Sequence, residues 1–217
     1  RLRIFEEQRR ASAERIKRKY GRVITEDRET FDKLTDTIVR QVGDLKSMVD
    51  EFASFARLPK PEMANDDLRH AIQEPVFLFR EGHPNVAYKI DMPATPIISS
   101  HDRRLLTQAL TNLVKNATEA VESAAEAHSG DAEWKGMVET RISTNGRSAI
   151  IEVIDNGVGF PKQNRMRLLE PYVTTKGHKG TGLGLAMVQK ITEQHGGTLL
   201  LDDAPTGPGR AQGARVR

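Results

Sequence analysis

Cysteine is absent from the 217 residues of this chain. Without thiols the protein forms no disulfide bond and offers no thiolate to a metal ion, which is consistent with a cytosolic setting. Long hydrophobic runs are missing too, since no stretch approaches the roughly 18 apolar residues of a membrane-spanning helix and no signal peptide is evident. We therefore expect no disulfide scaffold, no thiolate metal site and no membrane contact by these residues.

Aromatic residues are scarce at 5%, and neither sign of charge dominates, because 33 basic residues face 30 acidic ones for a net charge of +3. The basic residues concentrate early, in RLRIFEEQRR and ERIKRKYGR. This run lacks the series of interleaved aromatic rings that a single-stranded nucleic-acid surface needs. The composition therefore favours a solvated helix face and predicts no nucleic-acid partner.

Apolar residues recur every three or four positions from about residue 26 to 57, which predicts one long helix with a single apolar stripe. Residues 1–20 favour an earlier helix, and Thr25 is a predicted N-cap. The stripe needs a partner, which is either a helical hairpin that forms a four-helix bundle in a homodimer or, alternatively, the second domain. The stripe consists of Phe31, Leu34, Ile38, Val42, Leu45, Val49, Phe52 and Phe55.

Two prolines in RLPKPEM (57–63) end this helix and indicate a linker. We expect a helical hairpin over residues 1–58, a linker over 59–64 and a second domain over 65–217. The expected fold class is α+β: the hairpin is followed by an α/β sandwich with helices on one face of the sheet.

Within the second domain, DLRHAIQEPVFLFREG predicts a helix with a kink or early end near Pro75. An Asn-Gly turn between GMVETRIST and SAIIEVIDN predicts a hairpin. HDRRLLTQALTNLVKNATEAVESAAEAH and GLGLAMVQKITEQHG predict further helices, and GARVR is typical of a last strand that is cut short. Other predicted strands are VAYKIDM, PIISS and GTLLLDD.

Two amides share a face of the long helix, because Asn112 and Asn116 lie four residues apart, and Lys115 flanks them. Amides are costly to bury without partners, and an amide oxygen is a hard ligand that suits Mg²⁺ bound to phosphates. On its own, such a pair more often has a surface or capping role.

The segment DNGVGF (155–160) follows directly on a strand with a buried pattern. The carboxylate of Asp155 can accept a hydrogen bond from an exocyclic amine such as that of adenine. Gly157 and Gly159 allow the backbone to approach a flat ligand closely. By itself the segment is more typical of a tight strand-to-loop turn.

The segment GTGLGL (180–185) leads into a helix that begins near Leu183. Its glycines expose backbone N–H groups that a phosphate can accept, and the helix dipole favours an anion there. No Gly-Lys-Ser/Thr follows, and no strand immediately precedes it, which excludes a Walker loop and a Rossmann fingerprint. A flexible glycine hinge is the alternative.

A long polar and basic segment, PKQNRMRLLEPYVTTKGHK (161–179), separates the two glycine motifs. Its length and position predict a mobile lid, with Lys176 and Lys179 as candidate phosphate contacts. A solvated surface loop is the alternative.

Together, the four motifs in this order resemble the ATP-binding domain of sensor histidine kinases, a fold shared with gyrase, heat-shock chaperone and MutL-type ATPases. The resemblance covers roughly residues 65–217. NLVKNATEA resembles the asparagine box, DNGVGF the first glycine box and GTGLGL the second glycine box. EPYVTTK resembles the phenylalanine box, with Tyr172 in the aromatic position.

The resemblance implies ATP and Mg²⁺ as ligands, with Asn112 and Asn116 binding Mg²⁺ and phosphates. It further implies that Asp155 binds the adenine amine and that Lys176 and the backbone of Gly180–Gly184 hold the phosphates. The other candidate ATP-binding residues are Lys115, Gly157, Gly159, Tyr172, Thr174, Thr175, Thr181, Gly182 and Leu183.

Two positions depart from patterns within this fold. Many membrane-bound relatives have a lysine three residues after the second asparagine, where this chain has Glu119, so that contact is not carried over and Lys115 is the candidate replacement. The ATPase branch has a water-activating glutamate four residues before the Mg²⁺ asparagine. Here that residue is Asn112, which cannot act as a base. The resemblance therefore implies phosphoryl transfer rather than rapid hydrolysis.

The N-terminal segments SAERIKRKYG and FASFARLPKPEM resemble the nitrogen-sensor NtrY/NtrB-like kinases over residues 11–63. This implies a homodimer through the hairpin, a response-regulator receiver domain as partner, and a cytoplasmic location in a membrane-anchored parent. The implied reactions are autophosphorylation of a hairpin histidine and phosphotransfer to an aspartate.

The histidine acceptor box of those kinases, expected shortly before SAER, is not matched by RLRIFEEQRR, and the six histidines present all lie beyond the hairpin. Three explanations remain open: a segment missing between Arg10 and Ala11, which we expect, removal of the box, or a natural lack of it. A natural lack would give a nucleotide-binding scaffold that sequesters a regulator. A GHKL-type ATPase is the further alternative.

Overall fold

A computed structural model of the chain contains both helices and strands, as the sequence predicts. The structure describes residues 15–16, 18–20, 27–128, 130–131, 133–177, 180–207 and 212–217. The chain divides into two compact units. The first comprises residues 1–58 with 176–181, and the second comprises 59–175 with 182–217.

In the first unit, helix α1 spans Arg28–Ala56, which confirms the predicted long helix. Asp27 precedes it in a left-handed backbone conformation, while the predicted N-cap Thr25 lies outside the described residues. Residues 15–16 and 18–20 are also helical. The apolar stripe stays largely at the surface of the single chain: its exposed members include Leu34, Ile38, Leu45 and Phe52.

The described residues of the second unit form three α-helices, a 3₁₀ helix and two sheets. Helix α2 spans Leu68–Gly82, α3 spans Arg103–Ala127 and α4 spans Gly184–Gln194. The strands are β1 (Ala64–Asp67), β2 (Ala87–Asp91), β3 (Ile98–His101), β4 (Met137–Thr144), β5 (Ala149–Asp155), β6 (Leu201–Asp203) and β7 (Ala214–Val216).

The larger sheet has the order β2-β4-β5-β7-β6, in which only the β2–β4 pair is parallel. The predicted hairpin is confirmed, since β4 and β5 pair antiparallel around the Asn-Gly turn. Helix α3 contacts both of these strands and also packs against α2 and α4. The core therefore lies between one face of the sheet and the helices, as the α+β prediction requires.

Two local features differ from the expectation. The early end of α2 near Pro75 is wrong, since the helix continues to Gly82 with Pro75 buried in the core, whereas a kink at Pro75 stays a prediction. The strand β1 was not predicted, because its sequence ANDD has no strand propensity. It forms through antiparallel pairing with β3, in which Ala64 faces His101.

Asp67 fixes the start of α2. Its carboxylate accepts hydrogen bonds from the backbone N–H groups of Arg69 (3.2 Å) and Ile97 (3.1 Å) and from Nε of Arg69 (2.8 Å). The bond from the Arg69 side chain is the largest influence, and together with the backbone bonds it outweighs burial and lowers the pKa of Asp67 from 3.8 to about 2.

The lowered pKa predicts an acid-dependent loss of stability. Because the folded-state pKa lies below the unfolded-state value of 3.8, the carboxylate stabilises the fold above that pH, and the stabilisation disappears as the pH falls towards 2. We expect Asp67→Asn to lower the melting temperature at pH 7 and to match the wild type near pH 2. Circular dichroism melts across this range measure the difference, with the exposed Asp44→Asn as control. A difference that stays constant with pH would contradict this origin.

Candidate nucleotide site

The asparagine face of α3 meets the start of α4. Asn112 Oδ1 and Asn116 Nδ2 each lie 3.5 Å from the point where a Cβ on Gly184 would sit. The amide nitrogen of Asn112 donates to the carbonyl of Gln108 (3.0 Å) and lies 3.5 Å from Sδ of Met187. These contacts hold the amide nitrogen of Asn112 between α3 and α4, so its amide oxygen faces the N-terminus of α4.

Asp155 ends β5 and is almost fully buried, with 4% of its surface exposed. Its Oδ1 accepts hydrogen bonds from the backbone N–H groups of Gly157 (2.9 Å) and Ala214 (3.2 Å). The neighbouring Asn156 bonds through its side chain to the N–H of Met137 (2.7 Å) and the carbonyl of Lys135 (2.8 Å). Three segments of the chain therefore fix the orientation of the Asp155 carboxylate: the loop after β5, strand β7 and, through Asn156, the start of β4.

The loop that follows Asp155 lies directly on α3. The N–H of Val158 donates to the carbonyl of Ala120 (3.3 Å), and Gly157 is buried against the same turn of the helix. Gly159 has a positive φ of 71°, and a Cβ there would lie 3.2 Å from the carbonyl oxygen of Gly213. These contacts bring the first glycine motif and the asparagine helix together in one unit.

Gly213 lies against the backbone of Asp155, which no sequence motif indicated. Its φ is +151°, and a Cβ there would lie 2.0 Å from the carbonyl oxygen of Asp155. Only glycine therefore lets the chain pass close enough for the N–H of Ala214 to reach the Asp155 side chain. The one available signal was the glycine immediately before the last strand, in QGARV.

The predicted lid is anchored in its first half. A 3₁₀ helix spans Arg165–Leu169, and Leu168 and Leu169 are buried. The guanidinium of Arg165 donates to the carbonyl of Leu201 (3.3 Å) and forms an ion pair with Asp203. This part of the segment is therefore attached to strand β6 rather than being a plain solvated loop.

The second half of the predicted lid contacts the second glycine motif, where the backbone of Tyr172 meets that of Gly182. The N–H of Tyr172 donates to the carbonyl of Gly182 (3.0 Å), and Tyr172 has a positive φ of 68°, which is uncommon for a non-glycine residue. A Cβ on Gly182 would lie 2.5 Å from the carbonyl carbon of Tyr172. The second glycine motif therefore contains a glycine because backbone crosses backbone there. The Tyr172 side chain is 63% exposed.

The remaining predicted residues fall into two groups. Leu183 is buried directly before α4, and Lys115 is exposed on α3. Thr174 is half-buried and Thr175 is exposed, both within the second unit. By contrast, the segment Lys176–Thr181, which includes Gly180, clusters with the first unit, where the hydroxyl of Thr181 donates to the Glu51 carboxylate. Lys179 lies outside the described residues.

Five of the six histidines have structural contacts, and among them His70 lies 3.4 Å from a carboxylate oxygen of Asp66. His83 bonds to Glu122 (2.7 Å), and His101 is buried beside the hydroxyl of Ser99. His128 and His195 each bond to a carbonyl four residues earlier, at the ends of α3 and α4. None of these five lies on α1.

The residues described offer no group of three or more acidic, histidine or cysteine side chains that could hold a metal ion. At the N-terminus of α4 the structure places the amide oxygen of Asn112 and the amide nitrogen of Asn116, and both residues stay predicted ligands of Mg²⁺ shared with phosphates. None of the helices described is long and apolar enough to cross a membrane.

Similarity to known proteins assigns the chain to a family. Residues 101–217 match the family described as histidine kinase-, DNA gyrase B-, and HSP90-like ATPase. The chain is 53% identical over 199 residues to nitrogen regulation protein NtrY of Azorhizobium caulinodans, which covers 91% of this chain and 25% of that protein. The chain thus spans about a quarter of the length of that relative.

Solved structures show the same fold. The catalytic domain of histidine kinase ThkA, in a nucleotide-free form, has a TM-score of 0.58 at 26% identity, with 71% of this chain and 94% of that one covered. Full-length ShkA in complex with AMPPNP has a TM-score of 0.64 at 22% identity, with 97% and 44% covered. The chain therefore belongs to the histidine kinase-, DNA gyrase B- and HSP90-like ATPase family, and within it is similar to the NtrY sensor kinases.

Proposed function

We propose that this chain is the catalytic core of a two-component sensor histidine kinase. ATP and Mg²⁺ bind in the domain over residues 65–217, and the γ-phosphoryl group passes to a histidine on a dimerising hairpin to which residues 1–58 belong. The phosphoryl group then passes to an aspartate of a response-regulator receiver domain. The observation that carries the proposal is the meeting of Asn112 and Asn116 with Gly184 at the N-terminus of α4.

Each end of the nucleotide has a matching chemical environment. Asp155 presents a carboxylate of fixed orientation that can accept a hydrogen bond from the adenine amine. The first N–H groups of α4 have no carbonyl partner inside the helix, so they and the helix dipole favour a phosphate. Mg²⁺ held by Asn112 and Asn116 would neutralise the phosphate charge during transfer.

Asn112, one helical turn before Asn116, favours phosphoryl transfer over hydrolysis of ATP. Asn112 is an amide and has no basic site at neutral pH, so it cannot activate water. Its amide nitrogen is also engaged with the carbonyl of Gln108, which fixes it as a ligand and not a proton acceptor. The site therefore contributes positioning and charge neutralisation, which are the main needs of phosphoryl transfer.

The apolar stripe on α1 supports a homodimer as the working form. The stripe on α1 leaves large apolar side chains at the surface, and a four-helix bundle would bury them against a second copy. Since NtrY is called a nitrogen regulation protein, we propose a role in nitrogen signalling for this chain as well, within the cytoplasmic portion of a membrane-anchored sensor.

Radiolabelling of the full-length parent protein tests the proposal. With γ-labelled ATP and Mg²⁺, we expect a protein-bound label that is lost in acid and stable in base, because a phosphohistidine P–N bond hydrolyses readily in acid. Asn116→Ala should abolish the label, whereas Asn85→Ala, on an exposed loop, should retain it.

Two other results would contradict the kinase. Sustained phosphate release without a phosphoprotein would indicate an ATPase. Nucleotide binding with neither label nor release would indicate a scaffold that sequesters a regulator.

A further inference from the structure

The helices α3 and α4 are joined a second time, far from the nucleotide site. The backbone N–H of Asp102, which caps the start of α3, donates to Nε2 of His195 at 3.0 Å. His195 is the residue that follows α4. The two helices run antiparallel, so this contact joins the N-terminus of α3 to the C-terminus of α4.

Both ring nitrogens of His195 have defined roles. Because Nε2 accepts from an N–H group, it carries no proton, and Nδ1 is the protonated nitrogen that donates to the carbonyl of Ile191 at 2.8 Å. The ring is therefore neutral, and it bridges one helix to the other instead of only capping its own.

Asp102 is itself rigidly held. One carboxylate oxygen accepts from the N–H of Leu105 (3.1 Å), and the other accepts from the N–H of Glu62 (2.9 Å) and from Arg104 (3.3 Å). Burial raises the pKa of Asp102, but the backbone hydrogen bonds from Glu62 and Leu105 outweigh it, so the pKa is lowered overall. The N–H that reaches His195 thus belongs to a residue that is only 4% exposed and held from three directions.

The opposite end of the same helix pair holds the phosphate side of the site. There Gln108 and Asn112 contact Sδ of Met187, at 3.2 and 3.5 Å, and Gly184 faces the asparagines. Gly184 and His195 are eleven positions apart, roughly 16 Å along a helix. Packed helices move against each other by small shear displacements, so a contact at one end limits the gap at the other.

We propose that His195 is a positioning residue for nucleotide binding, which sets the distance between the asparagine face of α3 and the first turn of α4 through its bond to Asp102. This rests on the nucleotide site of the proposed function. The competing explanation is that His195 acts only within α4, through its bond to Ile191.

Two substitutions separate these explanations. In His195→Asn the side-chain amide can still donate to Ile191 from the place of Nδ1, but nothing reaches Asp102. In His195→Gln the amide oxygen can occupy the place of Nε2 and accept from Asp102, while the bond to Ile191 is lost. The pair thus removes one contact at a time.

Titration calorimetry on the full chain with ATP and Mg²⁺, and with ADP in EDTA, provides the readout. We expect His195→Asn to raise the dissociation constant for ATP·Mg²⁺ roughly three- to tenfold, the effect of one hydrogen bond, and that for ADP in EDTA by less than about twofold. His195→Gln should remain within about twofold of the wild type for both ligands.

Wild-type affinity in the asparagine variant, or a defect confined to the glutamine variant, would overturn the positioning role. So would equal losses for both ligands with a lowered melting temperature, which indicate general destabilisation. Failure of the wild-type chain to bind ATP would instead overturn the proposed function, and this role with it.

Discussion

Asp155→Asn should abolish ATP binding while leaving the fold intact. Asparagine keeps a side-chain oxygen, which can still accept the N–H groups of Gly157 and Ala214. The other carboxylate oxygen becomes an NH₂ group, which donates and therefore opposes the adenine amine. Loss of a charge-assisted hydrogen bond in a buried site costs about 3 kcal/mol, equivalent to roughly 100-fold in affinity.

Calorimetry with ATP and Mg²⁺ measures this loss, and a thermal melt verifies the fold. Glu133→Gln is a matched control, since it neutralises an exposed carboxylate in the same compact unit and should change neither quantity. If Asp155→Asn still bound ATP with near wild-type affinity, the adenine would have to be recognised elsewhere. A large fall in melting temperature would indicate a structural role for the charge.

Gly213→Ala should be the most damaging small substitution in the second unit. A methyl group there would lie 2.0 Å from the carbonyl oxygen of Asp155, and the φ of +151° is strained for any residue with a side chain. The strand β7 would have to move, which would remove the Ala214 hydrogen bond to Asp155. We expect a loss of about 3 kcal/mol in the free energy of unfolding.

In Gly213→Ala the affinity for ATP should fall together with the free energy of unfolding, because β7 is one of the chain segments that orient Asp155. Urea unfolding and calorimetry measure the two effects. Gly82→Ala is the control: no atom lies within 4 Å of its Cβ position and its φ is not positive, so its stability should not fall and its affinity for ATP should stay unchanged. Wild-type stability of Gly213→Ala would mean that β7 has a different path.

The sequence alone was sufficient for elements that depend on local patterns. The spacing of apolar residues predicted α1, and the Asn-Gly turn predicted the β4–β5 hairpin, because helix and hairpin formation are set by neighbours a few residues apart. The order of the four motifs likewise predicted the family, which the match over residues 101–217 confirms.

Only the tertiary structure determined the features that depend on contacts distant in sequence. Strand β1 exists through pairing with β3, and Gly182 must be glycine because the backbone of Tyr172 crosses it. In the same way Gly213 acquires its role from Asp155, which lies 58 residues earlier.

The two glycine motifs illustrate the division. Their sequence predicted a nucleotide site and the chemistry of each end of it, since residue types and spacing carry that information. Only the structure showed the contacts between distant segments around these motifs: β7 beside Asp155, the crossing at Gly182, and the bond between Asp102 and His195. Hydrogen bonds between distant segments leave no periodic trace in a sequence, because each partner is a single residue in an otherwise ordinary stretch.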